Sequence, residues 1–118
     1  MEALVKPAKY NTECPQGSTF DIQFTYKIGK FPVNLTGYTS RMQIRETHLS
    51  TTPLISLVDG SGLTLGGEAG TINVLIAAGT TAVFSPITYV YDLELVSPNG
   101  KVTRIVEGTF RVTPEVTR

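Results

Sequence analysis

The chain has no tryptophan, one cysteine, one histidine and no surplus of charge, since ten Lys and Arg offset ten Asp and Glu. Each shortage closes off a class of function. With Cys14 alone, no intrachain disulfide and no cysteine-based metal cluster can form. With His48 alone, an imidazole has one chance of lying beside a nucleophile, and no Ser-Asp pair or second ligand surrounds it in the sequence. A net charge of zero lacks the basic stripe of a nucleic-acid binder. No run approaches the ~20 apolar residues of a membrane-spanning helix. The leading Met1-Glu2-Ala3-Leu4-Val5-Lys6-Pro7 lacks the basic lead-in and apolar run of a signal peptide. These shortages lead us to expect no cofactor, no nucleic-acid or membrane partner, and synthesis in the cytoplasm.

What is present forms strands. In Ile87–Val96, Tyr89, Tyr91, Leu93 and Leu95 occupy every second position, with Val90, Asp92, Glu94 and Val96 between them. Side chains alternate across a strand, so this stretch has one aromatic-aliphatic face and one mixed, charged face. Pro98-Asn99-Gly100 supplies a turn, and Lys101–Thr113 returns as a long strand in which Gly108 predicts a bulge or bend. Thr19–Ile28 alternates in the same way, with Phe20, Ile22, Phe24, Tyr26 and Ile28 on one face. So does Tyr38–Glu46, with Tyr38, Ser40, Met42 and Ile44 together. Shorter strands are predicted at Ala3–Lys9, Phe31–Leu35, Leu54–Val58 and Thr71–Ile76. Asn11–Ser18 reads as a turn, and the small residues of Ala77–Phe84 as a helical turn or crossover.

This spacing predicts an all-β domain spanning residues 1–118: an immunoglobulin-like antiparallel sandwich of about seven strands. A small closed barrel is the rival architecture. An extended N-terminal segment over about residues 1–16 and a tail over 114–118 flank the core. Ala3, Leu4, Val5 and Lys6 in the first, and Pro114, Glu115, Val116 and Arg118 in the second, are candidate interaction residues because neither segment carries obvious core duty.

Motifs that invite chemistry have plainer readings. Gly66-Gly67-Glu68-Ala69-Gly70 lacks the Gly-Lys-Ser/Thr ending of a phosphate loop, and Asp59-Gly60 lacks the alternating oxygen ligands of a calcium loop. Asn34-Leu35-Thr36 matches a glycosylation acceptor without a secretion signal. Asp92 and Glu94 lie about 7 Å apart on one strand face, a spacing open to glycoside chemistry. Cross-strand ion pairing with Arg104 and Arg41, with Arg45 a further candidate, is the favoured alternative. The chain is therefore expected to be non-enzymatic.

Three segments carry a resemblance: Asn34–Arg45, containing Leu35-Thr36-Gly37-Tyr38; Tyr89–Leu95, containing Tyr91-Asp92-Leu93-Glu94-Leu95; and Glu107–Arg118. With the leading Gly17–Phe24, they resemble small structural proteins of tailed phages and prophages. They are also similar to the immunoglobulin-like N-terminal domain of phage baseplate upper proteins. The resemblance implies a virion structural protein present in several copies, an adaptor of the tail, baseplate or fibre-attachment region. Its implied partners are other phage structural proteins, and it implies no catalytic residue. A capsid decoration or cement protein is the alternative within that class. A carbohydrate-binding module is the alternative outside it, although a sugar platform needs exposed rings and Tyr89 and Tyr91 are expected inside.

Overall fold

Thr88–Val96 and Val102–Thr113 form the longest ladder of the fold, pairing antiparallel in a computed structural model that describes residues 6–118. In chain order the strands are β1 (Ala8–Lys9), β2 (Thr12–Pro15), β3 (Phe20–Thr25), β4 (Lys27–Ile28) and β5 (Phe31–Pro32). They continue with β6 (Thr39–Arg45), β7 (Ile55–Asp59), β8 (Gly62–Leu65), β9 (Thr71–Ile76), β10 (Thr88–Val96) and β11 (Val102–Thr113). One helical turn, α1 (Ala78–Thr81), crosses between β9 and β10.

Nine strands make a single sheet in the order β1-β11-β10-β6-β7-β8-β9-β3, with β2 also on β11; β4 and β5 form a separate hairpin. The sheet doubles over where β7 meets β8, and Gly60 and Gly62 at that corner both have positive φ. The two halves then face each other as a β-sandwich. Phe20 of β3 meets Phe110 of β11 edge-on with centroids 5.0 Å apart, and Phe84 closes on the same ring at 6.4 Å. Tyr89, Tyr91, Leu93 and Leu95 of β10 are all buried, as are Met42 and Ile44 of β6 and Ile72, Val74 and Ile76 of β9. Alternation thus selects the inward face in β6, β9 and β10, whereas β11 departs from it where the adjacent Ile105 and Val106 are both buried.

Three expectations change. Residues 12–15 were expected in a turn but form β2, whose Thr12 and Cys14 are buried and which runs parallel to β11. Its short polar sequence gives no run of β-forming residues, and only the neighbouring strand supplies its partner groups. The sheet is not wholly antiparallel, because β1, β2 and the β7–β8 junction pair in parallel. The stretch read as one strand over Thr19–Ile28 turns aside at Tyr26. There the N–H donates to Gly70 O and the carbonyl accepts from Val33 N–H, which swings β4 and β5 out as a hairpin. Such breaks raise the strand count among the described residues to eleven.

Candidate functional site

The outward face of β11, β10 and β6 carries the charged side chains, because their inward neighbours fill the core. Arg41 Nε donates to Glu94 Oε1 at 2.7 Å, and Arg104 lies 3.3 Å from Asp92 and 3.4 Å from Glu107. Lys9 reaches Glu107 at 2.5 Å, and Arg111 reaches Glu13 at 3.3 Å. Arg45 turns away to Ser50 O and Gln43 Oε1. The register shift between Leu93 and Glu94 explains why Arg104, paired in register with Glu94, reaches Asp92 instead. Lys9 and Glu107 were not singled out from sequence, since β1 meets β11 only through the long-range fold. Asp92, Arg104, Glu107, Lys9, Arg45 and His48 border a polar depression of about 570 Å³ on this face.

Burial raises the Asp92 carboxyl above its usual pKa against the opposing pull of Arg104, whereas the hydrogen bond from Lys9 lowers that of Glu107. The two groups respond to pH in opposite senses. Ionising Asp92 costs stability as pH rises from its unfolded pKa through its raised folded one. Glu107 contributes stability that is present above its unfolded pKa and lost as pH falls through its lowered folded one. Asp92→Asn is therefore expected to be at least as stable as wild type at neutral pH, because losing an exposed pair costs less than ~1 kcal/mol. Its relative advantage should vanish in acid, where the wild-type carboxyl is protonated. Thermal melts at both pH values check this; a large loss at neutral pH would contradict it.

The remaining chemical candidates are tied into the fold. Cys14 is fully buried, and burial raises its thiol pKa. His48 is exposed in the β6–β7 connection. Asp59 Oδ1 accepts from the Ser40 N–H at 3.1 Å and from its hydroxyl. Asn34 Oδ1 accepts from the Thr36 N–H at 3.0 Å, closing a local turn over the buried Leu35. Among the described residues, no group of three or more His, Cys, Asp or Glu side chains is placed to hold a metal ion. Tyr91 donates its hydroxyl to the Tyr10 carbonyl at 2.6 Å, and Tyr89 donates to the Ser85 carbonyl at 2.9 Å. Both rings belong to the core, so neither offers an exposed face to a sugar.

A second region lies at the open seam between the two ends of the sheet. Here β1 and β3 approach without pairing, and Tyr10 meets Phe24 edge-on at 5.6 Å. The seam holds a depression of about 560 Å³ lined by Lys6, Tyr10, Ile22, Phe24, Tyr26 and Ile105, among others. Beyond it the β4–β5 hairpin displays Ile28 at 66% exposure and Phe31 at 76%. Neither residue stood out in the sequence, because alternation assigned Ile28 to the inward face.

The candidate interaction residues fall unevenly across these surfaces. Ala3, Leu4 and Val5 lie outside the described residues, and Lys6 borders the seam. In the tail, the Glu115 N–H donates to Gln16 Oε1 at 3.1 Å and its carboxylate packs on Gly17, so this part folds back on the body. Arg118 returns to the Glu115 carbonyl at 3.4 Å; Pro114 is exposed and Val116 almost wholly so.

No protein-family model matches the chain, and no curated protein matches it. The chain is similar to a solved structure described as "Structure-based site-directed photo-crosslinking analyses of multimeric cell-adhesive interactions of VGSC beta subunits". That likeness covers 98% of each chain at 14% identity, with a TM-score of 0.48.

Proposed function

We propose that the protein is a non-enzymatic structural module of a tailed phage particle, an adaptor in the tail, baseplate or fibre-attachment region acting through protein–protein contacts. The observation that carries the contact-forming part is the β4–β5 hairpin, which holds Ile28 and Phe31 in water although a fully buried large apolar side chain contributes roughly 1.5–3 kcal/mol. Apolar side chains displayed together on a projecting hairpin fit a surface that is covered in an assembly. The phage context rests on the resemblance of Asn34–Arg45, Tyr89–Leu95 and Glu107–Arg118. The partners would be other structural proteins of the particle, with several copies of this chain in each.

The test combines particle composition with a surface variant. Mass spectrometry of purified tails and heads should find the protein in tails at low, symmetry-related stoichiometry. The double variant Ile28→Ser/Phe31→Ser should keep the wild-type melting temperature, since both side chains are exposed, yet drop out of the particles. Enrichment in heads at capsid-like stoichiometry would replace the adaptor by a cement protein. Absence from particles would overturn both, and undiminished incorporation of the double variant would remove the hairpin as the contact.

A further inference from the structure

The geometry points to a second copy of this chain as the occupant of the free edge of β3, paired antiparallel about a two-fold axis at Phe24. The inference extends the contact-forming reading above to one surface and one partner. Because the Tyr26 N–H donates to Gly70 O, that pair is of the hydrogen-bonded type, and bonding alternates along the ladder. Phe20, Ile22 and Phe24 therefore bond toward β9. Asp21, Gln23 and Thr25 direct their N–H and C=O groups to the other side, where no backbone group among the described residues meets them. The hairpin leaves this edge clear, since the Tyr26 carbonyl turns inward to Val33.

Among the described residues, the two edges of the sheet are not equivalent. Proteins blunt exposed edges with short strands, prolines and breaks. The edge at β1 and β2 has all three: β1 is two residues long, Pro7 precedes it, Pro15 ends β2, and Tyr10–Asn11 separates the two strands. The segment Phe20–Ile28 contains no proline and runs extended except at Tyr26. Its inward side chains Ile22, Phe24 and Tyr26 are only partly buried and border the seam depression. A neighbouring strand would bring matching apolar side chains over it.

Self-complementarity selects the occupant and the register. Edge bonding requires odd-numbered residues to face odd-numbered residues across the new ladder. With the axis at Phe24, Gln23 faces Thr25 of the second copy and Asp21 faces Lys27 of the second copy. The two Phe24 rings then meet at a non-hydrogen-bonded pair, where side chains approach most closely. Two opposite-charge pairs form by symmetry. Moving the axis to Gln23 sets Asp21 against Thr25, and moving it to Thr25 sets Lys27 against Gln23. Only the Phe24 axis pairs the charges.

Sedimentation velocity of the full chain over a concentration series tests the pairing. Wild type should show reversible dimers. Gln23→Pro should be monomeric, because it removes an edge donor that the fold itself does not use. Asp21→Lys should raise the dimer dissociation constant on the order of tenfold by replacing two attractive pairs with repulsive ones, and Asp21→Lys/Lys27→Asp should restore it. A monomeric wild type would overturn the inference, as would dimers unaffected by Gln23→Pro or an unrestored charge swap. Should Gln23→Pro lose its folded circular dichroism, the exposed charge variants decide. A monomeric protein that still enters particles through its hairpin would overturn the two-fold pairing and leave the adaptor reading standing. Dimers that never enter particles would do the reverse.

Discussion

Phe110→Ala is expected to lower the unfolding free energy by about 3–5 kcal/mol, the range for truncating a buried phenylalanine. Phe110 is fully buried on β11 and holds the two layers together through one ring. Phe20 meets it from β3 and Phe84 from the crossover before β10, both edge-on. Collapse around the cavity is hindered, because each neighbour is fixed on a different element. The Gln16 side chain donates to Phe84 O at 2.8 Å, and Phe20 is held in the β3–β9 ladder. Stability near the threshold of folding leaves little to spare for such a loss. Chemical denaturation should show a midpoint lowered by that loss divided by the slope, with the slope unchanged. A loss below about 1 kcal/mol would mean that the layers close over the gap and that the ring is not the bridge described.

Gly108→Ala is expected to cost about 3 kcal/mol through overpacking, and to release β1 from β11. A Cβ at this position would stand 2.1 Å from the Tyr10 carbonyl oxygen and 2.7 Å from its carbon, both backbone atoms with little room to yield. That carbonyl receives the Tyr91 hydroxyl at 2.6 Å, and the Tyr10 N–H donates to Glu107 O at 2.9 Å. Displacing Tyr10 therefore breaks a backbone bond, leaves the buried Tyr91 hydroxyl without its acceptor, and pulls Lys9 from Glu107. Hydrogen exchange would locate the effect. Protection should fall first at Tyr10, while β10 and β6 keep theirs. The Glu107 carboxyl should also move back toward its ordinary pKa as the Lys9 bond is lost. Unchanged protection at Tyr10 would show that the close approach is not required.

These two positions illustrate how legibility divided along the chain. Phe110 and Val112 are buried on either side of the exposed Arg111, so burial of the ring follows a local alternation within a predicted strand. Gly108 reads from sequence as a bulge or bend, but it pairs in register with Tyr91 and the ladder shifts between Leu93 and Glu94 instead; what Gly108 accommodates is the carbonyl of a residue far away in the chain. The charged face was legible in part. Asp92, Arg104 and Arg41 stand on neighbouring strands in the structure, but Glu107 and Lys9 join them through the parallel β1–β11 pairing, which has no local signal. Ile28 shows the opposite failure, since its position in an alternating run pointed inward and the turn at Tyr26 carried it out to solvent.

Local pattern alone was enough for the all-β class, the hairpin of β10 and β11, and the inward faces of β6 and β10. Period-two alternation is a local property, and burial of one face follows from it directly. Long-range packing settled that residues 12–15 form a strand, that β1 and β2 run parallel to β11, and that among the described residues β3 pairs on one side only. Parallel partners and free edges depend on which distant strand occupies the neighbouring position, and no local pattern of side chains encodes that choice.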